Sequence, residues 1–393
     1  MENSANFELT RKVFYTVDSI PVDQWQKVVG DENVYLSINY LQALETAMRD
    51  EISFYYTISF STEGEAVLCS VFQLVTFYDR RNSYADLLCK LSYHLHKKLL
   101  DIQTINVLVC GNVFSDGENG FTWSSSLSDA EAMNEVANTV ETLKKDPLIK
   151  ERASITLFKE FWPSSTQTSD HLKLRNYRDF MIDVNMVLKI HPEWRSMDDY
   201  LASMTTKYRT RAKGVYRKSS SLTIRTLTTA EIITYAERID FLFSNVLVKA
   251  EFSVGGLKVD AFINFSKQLG DQFCFRALFK EGEMVGFSTS FVNKNSLEAN
   301  FVGIDYDCNT QYAVYQRLLY DYVEQALQRN VQELQLGRTA ELVKSQIGAL
   351  PVNMKLYVKH RKSVSNLLLK PIVNSISPSE FELRTPFKAN FTQ

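Results

Sequence analysis

Apolar and polar positions alternate with period two in a series of short runs, and between the runs the period lengthens to that of a helix. The segments 11–17 (RKVFYTV), 52–60 (ISFYYTISF) and 66–77 (AVLCSVFQLVTF) predict strands. The last two are joined by STEGE with Gly64 at its tip, so they predict a hairpin. VDQWQKV and the stretch 37–48 predict helices, the second carrying Ile38, Leu41, Leu44 and Met48 along one stripe. A helix over 84–100, a strand at 104–112, a helix over 128–145 and a strand at 154–161 complete the first half. WPSSTQTSD, at 162–170, is polar and bears Pro and Ser, which predicts a linker.

The second half repeats that order. A strand at 180–186 leads to a long helix over 196–219, a strand at 222–227 and helices across 229–268. A hairpin turns at Glu281–Glu283, a strand follows at 297–305, and an amphipathic helix over 310–329 aligns Tyr312, Tyr315, Leu319, Tyr322 and Ala326. A strand at 331–337, a short helix at 339–347 and a strand at 354–361 come next, and Pro371, Pro378 and Pro386 predict an extended tail. Element order repeats although the residues do not. The pattern predicts an α/β fold, a mixed sheet flanked by helices, with a parallel crossover between the strands near 300 and 334. Two modules, 1–165 and 175–365, are expected, followed by a tail at 366–393.

Composition narrows the class. With 393 residues, 45% hydrophobic and 23% charged, the chain has the balance of a soluble protein of two or more domains. A net charge of −2 supplies no global field, so DNA is not an expected partner and any anionic partner must meet a local patch. The five cysteines are scattered, with no metal-ligand spacing, and read as reduced thiols; no metal is expected. The N-terminus shows no basic region leading into an apolar one, and 66–77 is too short to span a bilayer. A cytoplasmic protein is expected.

The element order, clearest across 222–360, resembles the GNAT fold of acyl-CoA N-acyltransferases. Two such modules in tandem resemble the FemABX-type and related N-acyltransferases. WRSMDDYLASMTTKYRTRAKGVYRK (194–218), MVGFSTSFV, LEANFVGID and LGRTAELVKSQIGALP carry the resemblance. It implies transfer of an acyl group from acyl-CoA to a small-molecule or lipid amine by direct attack, with no metal or prosthetic group. In such modules the strands matching 297–305 and 331–337 splay apart, and the acyl arm enters the gap. Gly303, Asp305 and Tyr306 would then line one rim, and Gly337, Arg338 and Thr339 the other. Gly337 permits close backbone approach, and Thr339 is the expected N-cap of the next helix. Arg338 would face a ligand carbonyl, carboxylate or phosphate. The glycine-bearing pyrophosphate loop of acetyl-CoA-using members has no counterpart, because DYDCNTQYA (305–313) holds neither Gly nor a basic residue. The first module's CGNVFSDGENGF has glycines but also Asp116 and Glu118, which repel phosphate.

The remaining candidates each have two readings. Asp305 is a general base or a turn aspartate. Glu251 and Asp260 border the expected acceptor region or are surface carboxylates. Tyr306 and Tyr312 protonate a departing thiolate or pack the core. KYRTRAKGVYRK (207–218) carries six basic residues in twelve, so Arg209 and Arg211 belong to a phosphate contact or to a solvated helix face. Lys344 reads as exposed and His191 as a loop residue. Two alternatives to the acyl-CoA enzyme stand: a FemABX-like transferase using aminoacyl-tRNA, and a catalytically silent GNAT-like binding protein. Peripheral membrane contact is compatible with a lipid acceptor.

Overall fold

The computed structural model describes residues 9–31, 33–78, 104–249, 256–374, 376 and 381–391. The helix expected at 84–100 and Glu251 lie outside them. Strands follow in the order β1 (Thr10–Phe14), β2 (Ser53–Phe60), β3 (Ala66–Tyr78), β4 (Thr104–Cys110), β5 (Phe121–Trp123), β6 (Ile155–Phe161), β7 (Arg178–Phe180) and β8 (Val184–Lys189). They continue with β9 (Thr223–Thr226), β10 (Phe273–Lys280), β11 (Glu283–Asn293), β12 (Ser296–Ile304), β13 (Glu333–Gln335), β14 (Leu350–Asn353) and β15 (Lys355–His360). Helices of the first half are α1 (Val22–Val29), α2 (Ile38–Met48), α3 (Asp129–Leu143), α4 (Pro147–Arg152) and α5 (Thr166–Ser169). Then come α6 (Met197–Ser203), α7 (Thr206–Lys218), α8 (Thr229–Thr234), α9 (Ala236–Lys249) and α10 (Val259–Gln268). The last are α11 (Tyr306–Tyr312), α12 (Val314–Gln328), α13 (Glu341–Ser345) and α14 (Ser363–Asn374).

Local chemistry accounts for many of these boundaries. Gly64 turns the first hairpin at φ +82°, and Glu281 and Gly282 turn the second with positive φ. Ser128 with Glu131 and Thr228 with Glu231 form capping boxes that start α3 and α8. Two helices break where the sequence shows no break. The helix expected over 196–219 is interrupted at Met204–Thr205, where the C-terminal tail crosses: Thr205 N donates to Pro386 O and Lys388 N to Ser203 O. The helix expected over 310–329 starts earlier and is split at Ala313, which sits at φ +53°.

Two sheets result, each in its own compact unit. The first runs β1-β2-β3-β4-β6-β15-β7, with β5 beside β3, and the second β14-β8-β13-β12-β11-β10-β9. β12 and β13 are parallel, which is the expected crossover, and β4 and β6 repeat it in the first half. The position next to the crossover strand is filled in an unexpected way. β15, which the sequence assigns to the second module, lies between β6 and β7 of the first sheet, while β8 lies between β13 and β14 of the second. By element order β8 closes the first repeat and β15 the second, so the two repeats exchange their last strands. Residues 162–170 are accordingly not a linker: they form helical turns of the first unit, and the Ser169 hydroxyl lies 2.8 Å from that of Tyr357 on β15. The tail is also more structured than expected, since α14 packs in the first unit before the extended stretch 381–391 in the second.

A polar clasp holds β15 in the first sheet. Asp170 Oδ1 accepts from the Tyr357 hydroxyl at 2.6 Å and from Lys355 Nζ at 3.1 Å, and Lys173 is 3.2 Å away. Burial pushes the Asp170 carboxyl up, but the hydrogen bonds from Tyr357, Lys355 and Lys173 outweigh it and hold it below its usual value. A carboxyl depressed in the folded state stabilises above its unfolded pKa and loses that contribution as pH falls through the folded value. The first unit is therefore expected to weaken below about pH 4. Asp170→Asn should make that decline shallower, as read from denaturant midpoints across acidic pH.

Candidate functional site

The second sheet opens where the resemblance implied a gap. β12 and β13 pair over three positions, Ser296 with Glu333, Leu297 with Leu334 and Glu298 with Gln335, and then part. Beyond Gln335 the chain stays with β8: Leu336 N donates to Met186 O, and Met186 N to Gly337 O. β12 instead stays with β11 through a bulge, in which Asn300 and Phe301 oppose Thr289 alone. The Thr289 hydroxyl fills that bulge by accepting from Phe301 N at 3.1 Å. Asp305 N donates to Val285 O, so ladder alternation turns the N–H groups of Val302 and Ile304 to the opposite edge, toward the gap, while the Ile304 carbonyl accepts from Asn245 Nδ2 at 3.3 Å. Ala299 through Val302 are half-buried there.

The far rim is a strained corner. Gly337, Thr339 and Ala340 all have positive φ, at +70°, +61° and +54°. Such clustering marks a conformation held by its surroundings. Lys344 holds this one: its ammonium donates to Gly337 O at 3.2 Å and to Arg338 O, and the side chain is buried. The expected exposure of Lys344 is thus overturned, because two carbonyls of the corner draw the charge inward. Thr339 is not the N-cap of α13; Ala340 occupies that place without a side-chain cap. Arg338 is half-buried at the lip, directly on the corner.

On the near rim the structural readings prevail. Asp305 caps α11, its Oδ1 accepting from Asp307 N at 3.1 Å, while Oδ2 meets Arg238 at 2.7 Å. Both oxygens are engaged, so the carboxylate fixes the strand-to-helix turn rather than standing free as a base. Gly303 is buried, and a Cβ there would fall 2.1 Å from the Phe287 ring and 2.9 Å from Leu242 Cβ. Its smallness serves the packing of α9 on the sheet. Gly303→Ala is expected to cost about 1–3 kcal/mol, seen as a lower urea midpoint. Tyr306 and Tyr312 pack on an apolar cluster, with Lys249 Nζ 3.4 Å and Lys280 Nζ 5.0 Å from their ring centroids. Asp260 is an exposed first-turn residue of α10, and His191 packs its ring against Trp194 and Phe391.

Tyr315, on the first turn of α12, is a candidate that the sequence did not single out. It packs between the two apolar clusters on this face of the sheet. Burial pushes its hydroxyl above the usual tyrosine value, with Tyr306 on one side of the gap and Glu341 on the other adding to the rise. Its place in the aromatic stripe of 310–329 was the available signal.

The end of α12 that would cradle a pyrophosphate is occupied. α11 runs straight into it, and Asn309 Oδ1 accepts from Tyr315 N at 2.9 Å, taking one of the N–H groups a phosphate would use. α7, packed nearby, carries the charge instead. Lys207, Arg211, Lys213, Arg217 and Lys218 are exposed and Arg209 is half-buried. Among the described residues none of the six meets a carboxylate; Lys207 and Arg211 lie over the Tyr208 ring at 5.6 and 5.3 Å.

Among the described residues the first unit shows no such gap. β4 and β6 stay paired from Val107–Ile155 to Cys110–Phe158, and the following loop folds across their ends. Lys159 Nζ donates to Ser115 O, Glu160 N to Gly117 O and Trp162 N to Glu118 Oε1. The glycines of that loop serve closure.

No protein-family model matches the chain, and no curated protein matches its sequence. Solved structures match its fold. FemX aligns with a TM-score of 0.53 and 10% identity over 88% of this chain and 96% of its own. A tandem GNAT protein from the clavulanic acid biosynthesis pathway aligns at 0.51 and 9%, over 90% and 98%. A C-terminal domain assigned to lysylphosphatidylglycerol synthetase, from Agrobacterium fabrum, aligns at 0.50 and 10%, over 88% and 94%. At these identities the likeness establishes the fold: GNAT modules in tandem.

Proposed function

We infer that this tandem GNAT-fold chain is an acyltransferase that passes an acyl group to an amine in the second unit. The observation that carries the reading is the parting of β12 and β13 after three pairs, which leaves main-chain donors of Val302 and Ile304 facing a gap. The amine nitrogen attacks the acyl carbon directly, and the carbonyl oxygen becomes an oxyanion that an edge N–H group stabilises. The donor's oxygen or sulfur leaves with the electron pair of the broken bond and takes the Tyr315 proton, and the proton shed by the attacking amine restores the Tyr315 phenol, so the step ends with amide, protonated leaving group and neutral tyrosine. Gly337 and Arg338, fixed by Lys344, border the donor. Catalysis of this kind rests on placement, which is why no conspicuous motif marks it.

The donor separates two readings. The sequence reading is acyl-CoA, with the cations of α7 near its phosphates. A second, aminoacyl-tRNA, is favoured by the Asn309 contact that occupies an α12 N–H and by six cations without carboxylate partners. A donor with many phosphates is met by side chains and needs no backbone cradle. The name of the Agrobacterium fabrum protein denotes a lysine joined to a phosphatidylglycerol; a lipid amine or hydroxyl acceptor here is consistent with that likeness. Titration with acetyl-CoA, with long-chain acyl-CoAs and with charged tRNA tests both. Salt-sensitive tRNA binding lost in Arg209→Glu/Arg211→Glu supports the second reading, and saturable acyl-CoA binding the first. No binding of any donor overturns the transferase.

A further inference from the structure

α14 is apolar on two faces, and the first unit covers one of them. Leu369 and Val373 are buried against the sheet, and Asn366 pins the helix, accepting from His360 N at 2.8 Å and donating to Asn176 O at 2.9 Å. Val364, Leu367 and Leu368, at the i, i+3, i+4 spacing of a second stripe, are 75%, 64% and 53% exposed. Leu174, two residues before Asn176, is 78% exposed. A helix apolar on both faces is normally enclosed, and four large exposed side chains in one region mark a contact surface.

Charge says what covers it. α14 has no acidic residue and bears Lys370, with Lys362 just ahead of it. Arg361 donates to the carbonyls of Lys150 and Lys144, which places α4 and the end of α3 beside the start of α14 and adds exposed Lys145 and Lys150. Among the described residues none of Lys145, Lys150, Lys362 and Lys370 meets a carboxylate. Of the carboxylates on this side, Glu141 is taken by Lys144 and Lys359, and Asp146 caps α4 and accepts from Tyr15. Glu151 is left exposed. No helix among the described residues is long and apolar enough to cross a membrane.

We propose that the outer face of α14 docks the chain on an anionic lipid surface, Val364, Leu367, Leu368 and Leu174 entering the interface while the lysines meet headgroups. Apolar insertion ringed by lysines is the pattern of a peripheral amphipathic helix, and each lysine near an anionic leaflet strengthens attachment. The proposal stands apart from the gap in the second unit and holds whatever donor that gap takes.

Flotation of the full chain with vesicles of phosphatidylglycerol and phosphatidylcholine, and of phosphatidylcholine alone, tests it. Binding to the anionic vesicles alone, weakened tenfold or more by Leu367→Glu/Leu368→Glu and by moderate salt, is the expected result. Lys362→Glu/Lys370→Glu should weaken it several-fold. These side chains are exposed, so unchanged circular dichroism will show that the variants fold. Absence of vesicle binding by the wild type, or equal binding by Leu367→Glu/Leu368→Glu, overturns the proposal. So does a dimer in sedimentation equilibrium that Leu367→Glu/Leu368→Glu dissolves, since the face is then a self-contact.

Discussion

A chain ending at Asn353 is expected to lose its first sheet although all of residues 9–182 remain. β15 is an interior strand of that sheet, paired with β6 on one side and β7 on the other. Leu356, Tyr357 and Val358 are 4%, 0% and 0% exposed, and burying each side chain contributes roughly 1.5–3 kcal/mol. Their loss, about 5–9 kcal/mol together, rivals the total stability of an ordinary domain, about 5–15 kcal/mol. β7 loses the one strand it pairs with among the described residues, and β6 is left with an open edge. Hydrogen exchange should therefore show β4 and β6 unprotected in this truncation. A chain ending at Ile376 keeps β15 and should retain that protection while losing Phe387, which packs on Gly348 in the second unit. Residues 1–182 made alone should fail to fold for the same reason. Persistent protection of β4 and β6 without β15 would show that the exchanged strand is dispensable.

Why this exchange was not legible in the sequence follows from what a strand encodes. Residues 354–361 carry the apolar run Leu356–Val358 between two lysines, which suits an interior strand of either sheet, and nothing local says which neighbours the strand will find. Tertiary pairing decides it, with Asp170 closing on Tyr357. Likewise Met204–Thr205 and Ala313 carry no glycine or proline, so helix periodicity runs through both; the breaks come from a crossing tail and from a left-handed alanine. Lys344 was misplaced because charge predicts exposure, whereas two carbonyls of a strained turn satisfy it inside. Features with local causes were legible, as both hairpin turns show, and the parallel crossover followed from element order; Gly337 was expected for close backbone approach, whereas its φ of +70° supplies a different reason for glycine. The gap itself followed from element order and resemblance. The tyrosine proposed to act there did not, because the place a tyrosine of a helical stripe takes depends on where that helix begins.

Replacing Tyr315 by Phe should cut turnover by about 10²–10⁴ while leaving donor binding and stability close to wild type, the range expected when a positioned proton donor is lost. The substitution removes one oxygen and keeps the ring in place between the two apolar clusters. A phenol suits the task because burial holds its proton: with the hydroxyl pushed above its usual value, it remains an acid at neutral pH. The sign carries into the pH profile. Activity that needs the protonated form should not decline as pH rises through about 10, the ordinary tyrosine value. Tyr306→Phe and Tyr312→Phe serve as controls with small expected effects, since those rings pack beside Lys249 and Lys280. Single-turnover measurement with whichever donor binds in titration separates the chemical step from binding. Turnover by Tyr315→Phe within threefold of wild type would assign the departing group's proton to water or another side chain. The main-chain edge of β12 would then be left to carry the transfer.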